Sequence, residues 1–167
     1  MKFIYLFMFF LLNIFSFYPA YSIEMKPKMT LELAKKMVDA CEHKKSSTDW
    51  RPLNIAIVDD GANLVLFRRQ DGSFLGSIEI AINKAKSSVL IPYPTKIIEE
   101  IVYGTKDSPP RVPGLETIDF LVPFAGGLPI LTEAGELIGG IGVSGATSSQ
   151  DEECAMAAIN SVKELLK

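Results

Sequence analysis

The 167-residue chain contains one histidine, two cysteines and one tryptophan. A lone histidine, His43, excludes a metal site built from several imidazoles and leaves a Ser-His-Asp triad no spare candidate. Cys41 and Cys154 stand too far apart in sequence for a CxxC zinc or redox motif. The net charge is −3, with lysines and arginines scattered, so the chain lacks the basic footprint of a nucleic-acid binder. It also lacks the Lys/Arg run that would bind anionic lipid. No apolar run reaches the roughly 20 residues of a membrane span. Internal repeats, low-complexity tracts and a second domain are absent as well.

The amino terminus differs from the rest. Lys2 is the only charge before Glu24, and Phe3 to Phe15 is almost entirely Phe, Leu, Ile and Met. Ala20-Tyr21-Ser22 then offers small residues two apart. A positive start, a short apolar run and a small-x-small end make a secretory signal. Residues 1–22 are therefore expected to be cleaved after Ser22, leaving residues 23–167 as one exported domain. In an oxidising compartment Cys41 and Cys154 have two readings open: a disulfide, or two small apolar residues buried on helix faces.

Periodicity organises the mature chain. Thr30 reads as an N-cap, and Leu31, Ala34, Met37, Val38 and Cys41 recur at helical spacing, predicting a helix to about Lys45. Asn54–Asp59 and Leu64–Arg69 are apolar runs around Asp60-Gly61, which predicts a β-hairpin. Asp59 and Asp60 stand where side chains cap turn N–H groups. Ser77–Leu90 is a second helix with Ile78, Ala81, Ile82, Ala85 and Val89 as its stripe. Pro92 and Pro94 end it, and Thr95 is expected to cap a short helix to Tyr103. Lys106–Gly114 is a proline-rich loop. Glu116–Phe124 reads as strand-like, and Leu128–Leu131 and Leu137–Val143 as a second hairpin. Ser149 and Glu152 fit a capping box for the last helix, with Asp151 to Glu153 at its positive end. This order predicts an α/β (α+β) fold, a mainly antiparallel sheet flanked by helices.

Several motifs bear on function. Gly140-Ile141-Gly142-Val143-Ser144-Gly145 matches G-x-G-x-x-G, but no second parallel strand follows, so a dinucleotide site is rejected. The glycines instead predict a strand packed closely on a helix or a ligand. Gly126-Gly127 marks either a bulge or bare backbone approached by a ligand. Ser144, Thr147 and Ser148 precede a helix whose first N–H groups attract anions, although the acids there cap the same groups. His43 falls nearly opposite the apolar stripe of its helix, which predicts a surface position. Lys84 flanks the stripe of the second helix, where a lysine snorkels to water or meets an acidic ligand. Paired carboxylates are not evident.

The segments "MTLELAKKMVDACEHK", "NIAIVDDGANLVLFRRQDGSFLGSIEIAINKA", "GGLPI" and "LTEAGELIGGIGVSGATSSQDEECAMAAI" together resemble the GlcG/HbpS-like family, which includes the C-terminal domain of PduO-type proteins. The resemblance covers essentially the whole mature chain. It implies a profilin- or PAS-like α/β fold and homo-oligomers, often octamers. Several members bind haem, some secreted ones are linked to haem degradation or redox sensing, and some relatives are lyases. Residue by residue, His43 stands where some relatives have a haem-ligating histidine. Lys84 matches a lysine on the pocket helix. Gly126, Gly127 and Ser144, with Gln150, Asp151 and Glu152, match the signature segments. The chain departs from the pattern at Ser46–Pro52, which is polar and longer, and at Pro92–Pro94.

Three functions compete. The first is a secreted haem-binding protein, with His43 as iron ligand, Arg68 or Lys84 as propionate partner, and possible degradation or sensing of haem. The second is a lyase or isomerase of small organic acids or aromatics, with Glu79 as the carboxylate and Lys84 as the cation. The third is a structural homo-oligomer without ligand.

Overall fold

The computed structural model describes residues 26–167; the expected leader, residues 1–22, lies outside the described residues. The elements are α1 (Leu31–Ser46), β1 (Asn54–Asp59), β2 (Leu64–Arg69), α2 (Ser77–Leu90), α3 (Thr95–Tyr103), β3 (Gly127–Leu131), β4 (Leu137–Ser144) and α4 (Ser148–Ser161). Short 3-10 turns lie at Leu115–Thr117 and Lys163–Leu165. The four strands form one sheet in the order β2-β1-β4-β3, antiparallel throughout. Among the described residues no helix is long and apolar enough to cross a membrane.

Strand alternation divides the core in two. Ile55 and Ile57 of β1, with Ile141 and Val143 of β4, pack under α1 and α4 against Met37, Val38, Ala155 and Ala158. Ala56 and Val58 face the other way, toward Ala81, Ala85 and Val89 of α2. Gly140 and Gly142 of β4 lie on that second face. A Cβ at Gly142 would stand 2.0 Å from the Ala81 carbonyl oxygen, and one at Gly140 2.7 Å from that of Ala85. The G-x-G pattern thus serves helix-on-sheet contact, and its strand lies between two antiparallel neighbours, with no place for a dinucleotide crossover.

Turn chemistry follows the sequence at the first hairpin. Asp59 accepts from the backbone N–H of Gly61 and Asn63 at 2.9 and 2.8 Å. Other expectations need correction. Glu116–Phe124 is not a strand: it is a 3-10 turn and extended loop whose hydrogen bonds go to α2, where Ser87 donates to the Phe120 carbonyl and accepts from the Val122 N–H. The capping box of α4 is Thr147 with Gln150, not Ser149 with Glu152. Thr95 does not cap α3. Its hydroxyl reaches instead to Gly127, accepting from that N–H at 2.9 Å.

Cys41 of α1 and Cys154 of α4 form a disulfide across 113 residues of sequence, and both are fully buried. This resolves the two readings of the cysteines in favour of the bond. It fastens the first helix of the domain to the last. Closing so long a loop restricts the unfolded chain strongly, so Cys41→Ala/Cys154→Ala should lower stability by about 3–5 kcal/mol in urea unfolding. The protein unfolded without reductant should show no reactive thiol. Gly142→Ala should cost about 3 kcal/mol by pushing α2 off the sheet, read by the same denaturation.

Candidate functional site

The least expected feature is a charge pair in the interior. Lys84 of α2 is completely buried, and its ammonium lies 3.0 Å from Oδ2 of Asp151 on α4. The ammonium also donates to the Val143 carbonyl at 2.9 Å and stands 4.7 Å from the centroid of the Phe124 ring. The other Asp151 oxygen accepts from the Ala146 N–H at 3.1 Å. Asp151 occupies the first turn of α4, where a helix favours negative charge.

Local sequence explains how the two meet. α2 and α4 lie on opposite faces of the sheet, so the lysine reaches past the ends of β3 and β4. Gly126, at φ +122°, makes the passage: a Cβ there would stand 2.6 Å from the Lys84 ammonium and 2.8 Å from the Val143 carbonyl. A Cβ at Gly127 would come within 2.4 Å of the Lys84 carbonyl. The space beside both glycines is filled by the protein's own atoms. Ser144 is buried at the end of β4, opposite Asn54.

Burial pushes the Lys84 ammonium below the usual lysine range, and the neighbouring carboxylate opposes this without cancelling it. Burial likewise pushes the Asp151 carboxyl up, against the pull of Lys84 and of the Ala146 and Gly145 N–H groups. Both shifts run toward the neutral form, so desolvation outweighs attraction and the pair costs stability at neutral pH. The sequence left Lys84 either snorkelling to water or meeting an acidic ligand, and placed Asp151 at the helix mouth. The lysine is enclosed instead, and the aspartate, which had been grouped with two surface acids, is its partner. The signal that marked both residues was the resemblance, in which Lys84 matches a lysine on the pocket helix and Asp151 a signature segment.

The remaining candidates are spread over the surface. His43 is exposed on the last turn of α1, as its phase predicts. Arg68 of β2 is engaged by Asp39 and Glu42 of α1 at 2.5 and 2.6 Å. Those two carboxylates hold its pKa above the ordinary arginine value. Glu79 is exposed on α2 while Lys84 is buried against Asp151, so the carboxylate and cation of the lyase reading do not share a cavity. Among the described residues no cluster of three or more His, Cys, Asp or Glu side chains is arranged to hold a metal ion.

Replacing both charges together, Lys84→Met/Asp151→Leu, should leave stability unchanged or raise it by about 1–4 kcal/mol in urea unfolding at neutral pH. The pH dependence has a definite sign. In the native state Lys84 loses its proton below its ordinary value of 10.5 and Asp151 gains one above its ordinary 3.8. As pH rises toward 10.5 the unfolded chain holds more protons at Lys84, and stability climbs; as pH falls toward 3.8 the native state takes up the proton at Asp151 first, and stability climbs again. Relative to the apolar double variant, the native protein should therefore be least stable near neutrality in chemical denaturation across pH.

Comparison with known proteins agrees with this architecture. The chain is 34% identical over 143 residues to an uncharacterized 15.0 kDa protein from the dhaT-dhaS intergenic region of Citrobacter freundii, covering 82% of this chain and 94% of that protein. It is 31% identical over 122 residues to protein GlcG of Escherichia coli K12, covering 72% and 85% of the two chains. Among solved structures, PduOC in complex with haem superposes with a TM-score of 0.71 at 26% identity, over 81% of this chain and 95% of that one. Residues 29–160 match the family model for the haem degrading protein HbpS-like, and the chain belongs to that HbpS-like family.

Proposed function

We propose that the mature protein is exported and binds haem, with His43 as the protein ligand to iron. The observation that carries this reading is the likeness to the haem complex of PduOC, which spans most of both chains. The family description points the same way. His43 is the only imidazole in the chain, and its exposure leaves the ring accessible to a metal. Arg68 must first release Asp39 and Glu42 before it can meet a propionate. Lys84 is enclosed and takes no part in ligand contact in this conformation.

A lone surface histidine does not make a haem slot, which also needs an apolar wall. A second copy of the chain provides one in a homo-oligomer. Leu90, Tyr93 and Tyr103 expose about half of their surfaces along the α2–α3 side, and burial against other subunits removes that apolar area from water. Export rests on two independent features. One is the apolar leader with its small-x-small end; the other is the buried disulfide, a bond that persists in oxidising compartments.

Haemin added to the apo-protein should shift its Soret band with saturating stoichiometry, and His43→Ala should weaken binding or change the spin state. Thermal stability should be nearly unchanged, because His43 is exposed. No Soret change in the unaltered protein refutes haem binding; an unaltered spectrum in His43→Ala moves the iron ligand elsewhere. Protein recovered from its source cell should begin at or near Ile23. Light scattering of that protein should give several times the monomer mass, and a clean monomer would count against a slot shared between subunits.

A further inference from the structure

The connection between α1 and β1 builds one wall of a surface cleft of about 330 Å³. Asp49, Trp50 and Arg51 form that wall. Phe74 stands beside it, and Gly145–Gln150, at the start of α4, stands opposite. The Arg51 guanidinium carbon lies 5.1 Å from the centroid of the Phe74 ring. On the other side of Arg51 and Phe74 lies a second hollow of about 220 Å³ that shares both residues and Gly145.

The walls are fixed from below. The buried side chain of Asn54 donates to the Phe74 carbonyl at 3.1 Å and accepts from the Ser73 hydroxyl. Gln70 holds both the N–H and the carbonyl of Leu53, directly after Pro52. Trp50 packs against the main core. Gly145, at φ +149°, presses on the segment so closely that a Cβ would stand 2.4 Å from the Pro52 carbonyl oxygen. Ala146 is held by Asp151. The cleft is therefore preformed, which spares a ligand the entropy of ordering it.

Its charges are unspent. Asp49 and Arg51 line the same cleft, yet among the described residues neither forms an ion pair with the other or with any third residue. The capping box uses the Thr147 oxygen and the Gln150 carbonyl as acceptors. That leaves the Thr147 O–H and the Gln150 NH₂ as donors in the cleft. The lining thus offers a guanidinium, a hydroxyl and an amide as donors for a carboxylate, and the Asp49 carboxylate as acceptor for an ammonium, while Trp50 and Phe74 supply apolar surface.

We propose that this cleft binds a small zwitterion, a free α-amino acid with an apolar side chain: its carboxylate on Arg51, Thr147 and Gln150, its ammonium on Asp49. The volume lies at the small end of the roughly 300–1,000 Å³ of small-molecule pockets, which suits a molecule of amino-acid size. His43 does not line the cleft, so the two readings rest on different residues.

Trp50 is the chain's only tryptophan, so intrinsic emission reports the cleft directly. The probes are L-leucine, 4-methylpentanoate, which lacks the ammonium, and isoamylamine, which lacks the carboxylate. L-leucine should shift Trp50 emission saturably, and each analogue should bind about tenfold more weakly or worse, as expected for loss of one charge-assisted contact. Arg51→Gln should reduce L-leucine to the affinity of isoamylamine, and Asp49→Asn to that of 4-methylpentanoate. His43→Ala should bind L-leucine unchanged, which keeps this test separate from the haem reading. Amide shifts of Gly145 and Thr147 in NMR provide a second readout should Trp50 emission stay constant. No saturable change by either readout at millimolar L-leucine overturns the proposal. So does 4-methylpentanoate binding as tightly as L-leucine, or L-leucine binding equally to Arg51→Gln.

Discussion

The Lys84–Asp151 pair is the constraint around which the domain is arranged. It joins α2 and α4, which cover opposite faces of one sheet, by a path that only a long side chain can take. That path requires Gly126 and Gly127, since any side chain there would occupy the space of the ammonium or of the α2 backbone. It also requires an acceptor at the end of β4, which the Val143 carbonyl supplies. The Val143 N–H in turn donates to the Gly126 carbonyl, so the passage is closed by the same residues that open it.

The cost of that pair is offset by order elsewhere. The second oxygen of Asp151 accepts from Ala146, which fixes the turn between β4 and α4. The same turn, with its Thr147–Gln150 capping box, is one wall of the Arg51 cleft. A hydrophobic replacement of both charges would stabilise the interior but leave the Ala146 N–H without its partner. The charges are thus better understood as setting the conformation of a surface turn than as adding stability. The disulfide bears on the same helix from the other side, since Cys154 follows Asp151 by one helical turn and fastens α4 to α1.

Elements with strong periodicity were legible before the structure: α1, both strands of the first hairpin and α2 agree with it almost to the residue. The failures share a cause. Glu116–Phe124 has the mixed apolar and polar pattern of a strand, but its partner is the side chain of Ser87 on a helix, a long-range contact that no local pattern encodes. Thr95 has the composition of a helix cap, yet it satisfies Gly127, 32 residues away. Of two neighbouring hydroxyl-bearing caps, the structure uses Thr147 rather than Ser149, and Asp151 then falls within the first turn with its side chain directed to Lys84.

The candidate site was legible only as a set of residue types. Position within the fold decided what each is free to do, and the charges sort into three groups. Lys84 and Asp151 are spent inside, and Arg68 is spent on α1. His43, Asp49 and Arg51 remain exposed and form no ion pair among the described residues, all within nine positions of one another around the end of α1. All three lie at or near the α1–β1 connection. Trp50 ties that loop to the core and Gln70 holds its end at Leu53, so its outward charges can vary while its shape is kept. Ligand choice in this chain is therefore to be sought in that connection, while the sheet, the glycines and the buried pair keep the fold that its relatives share.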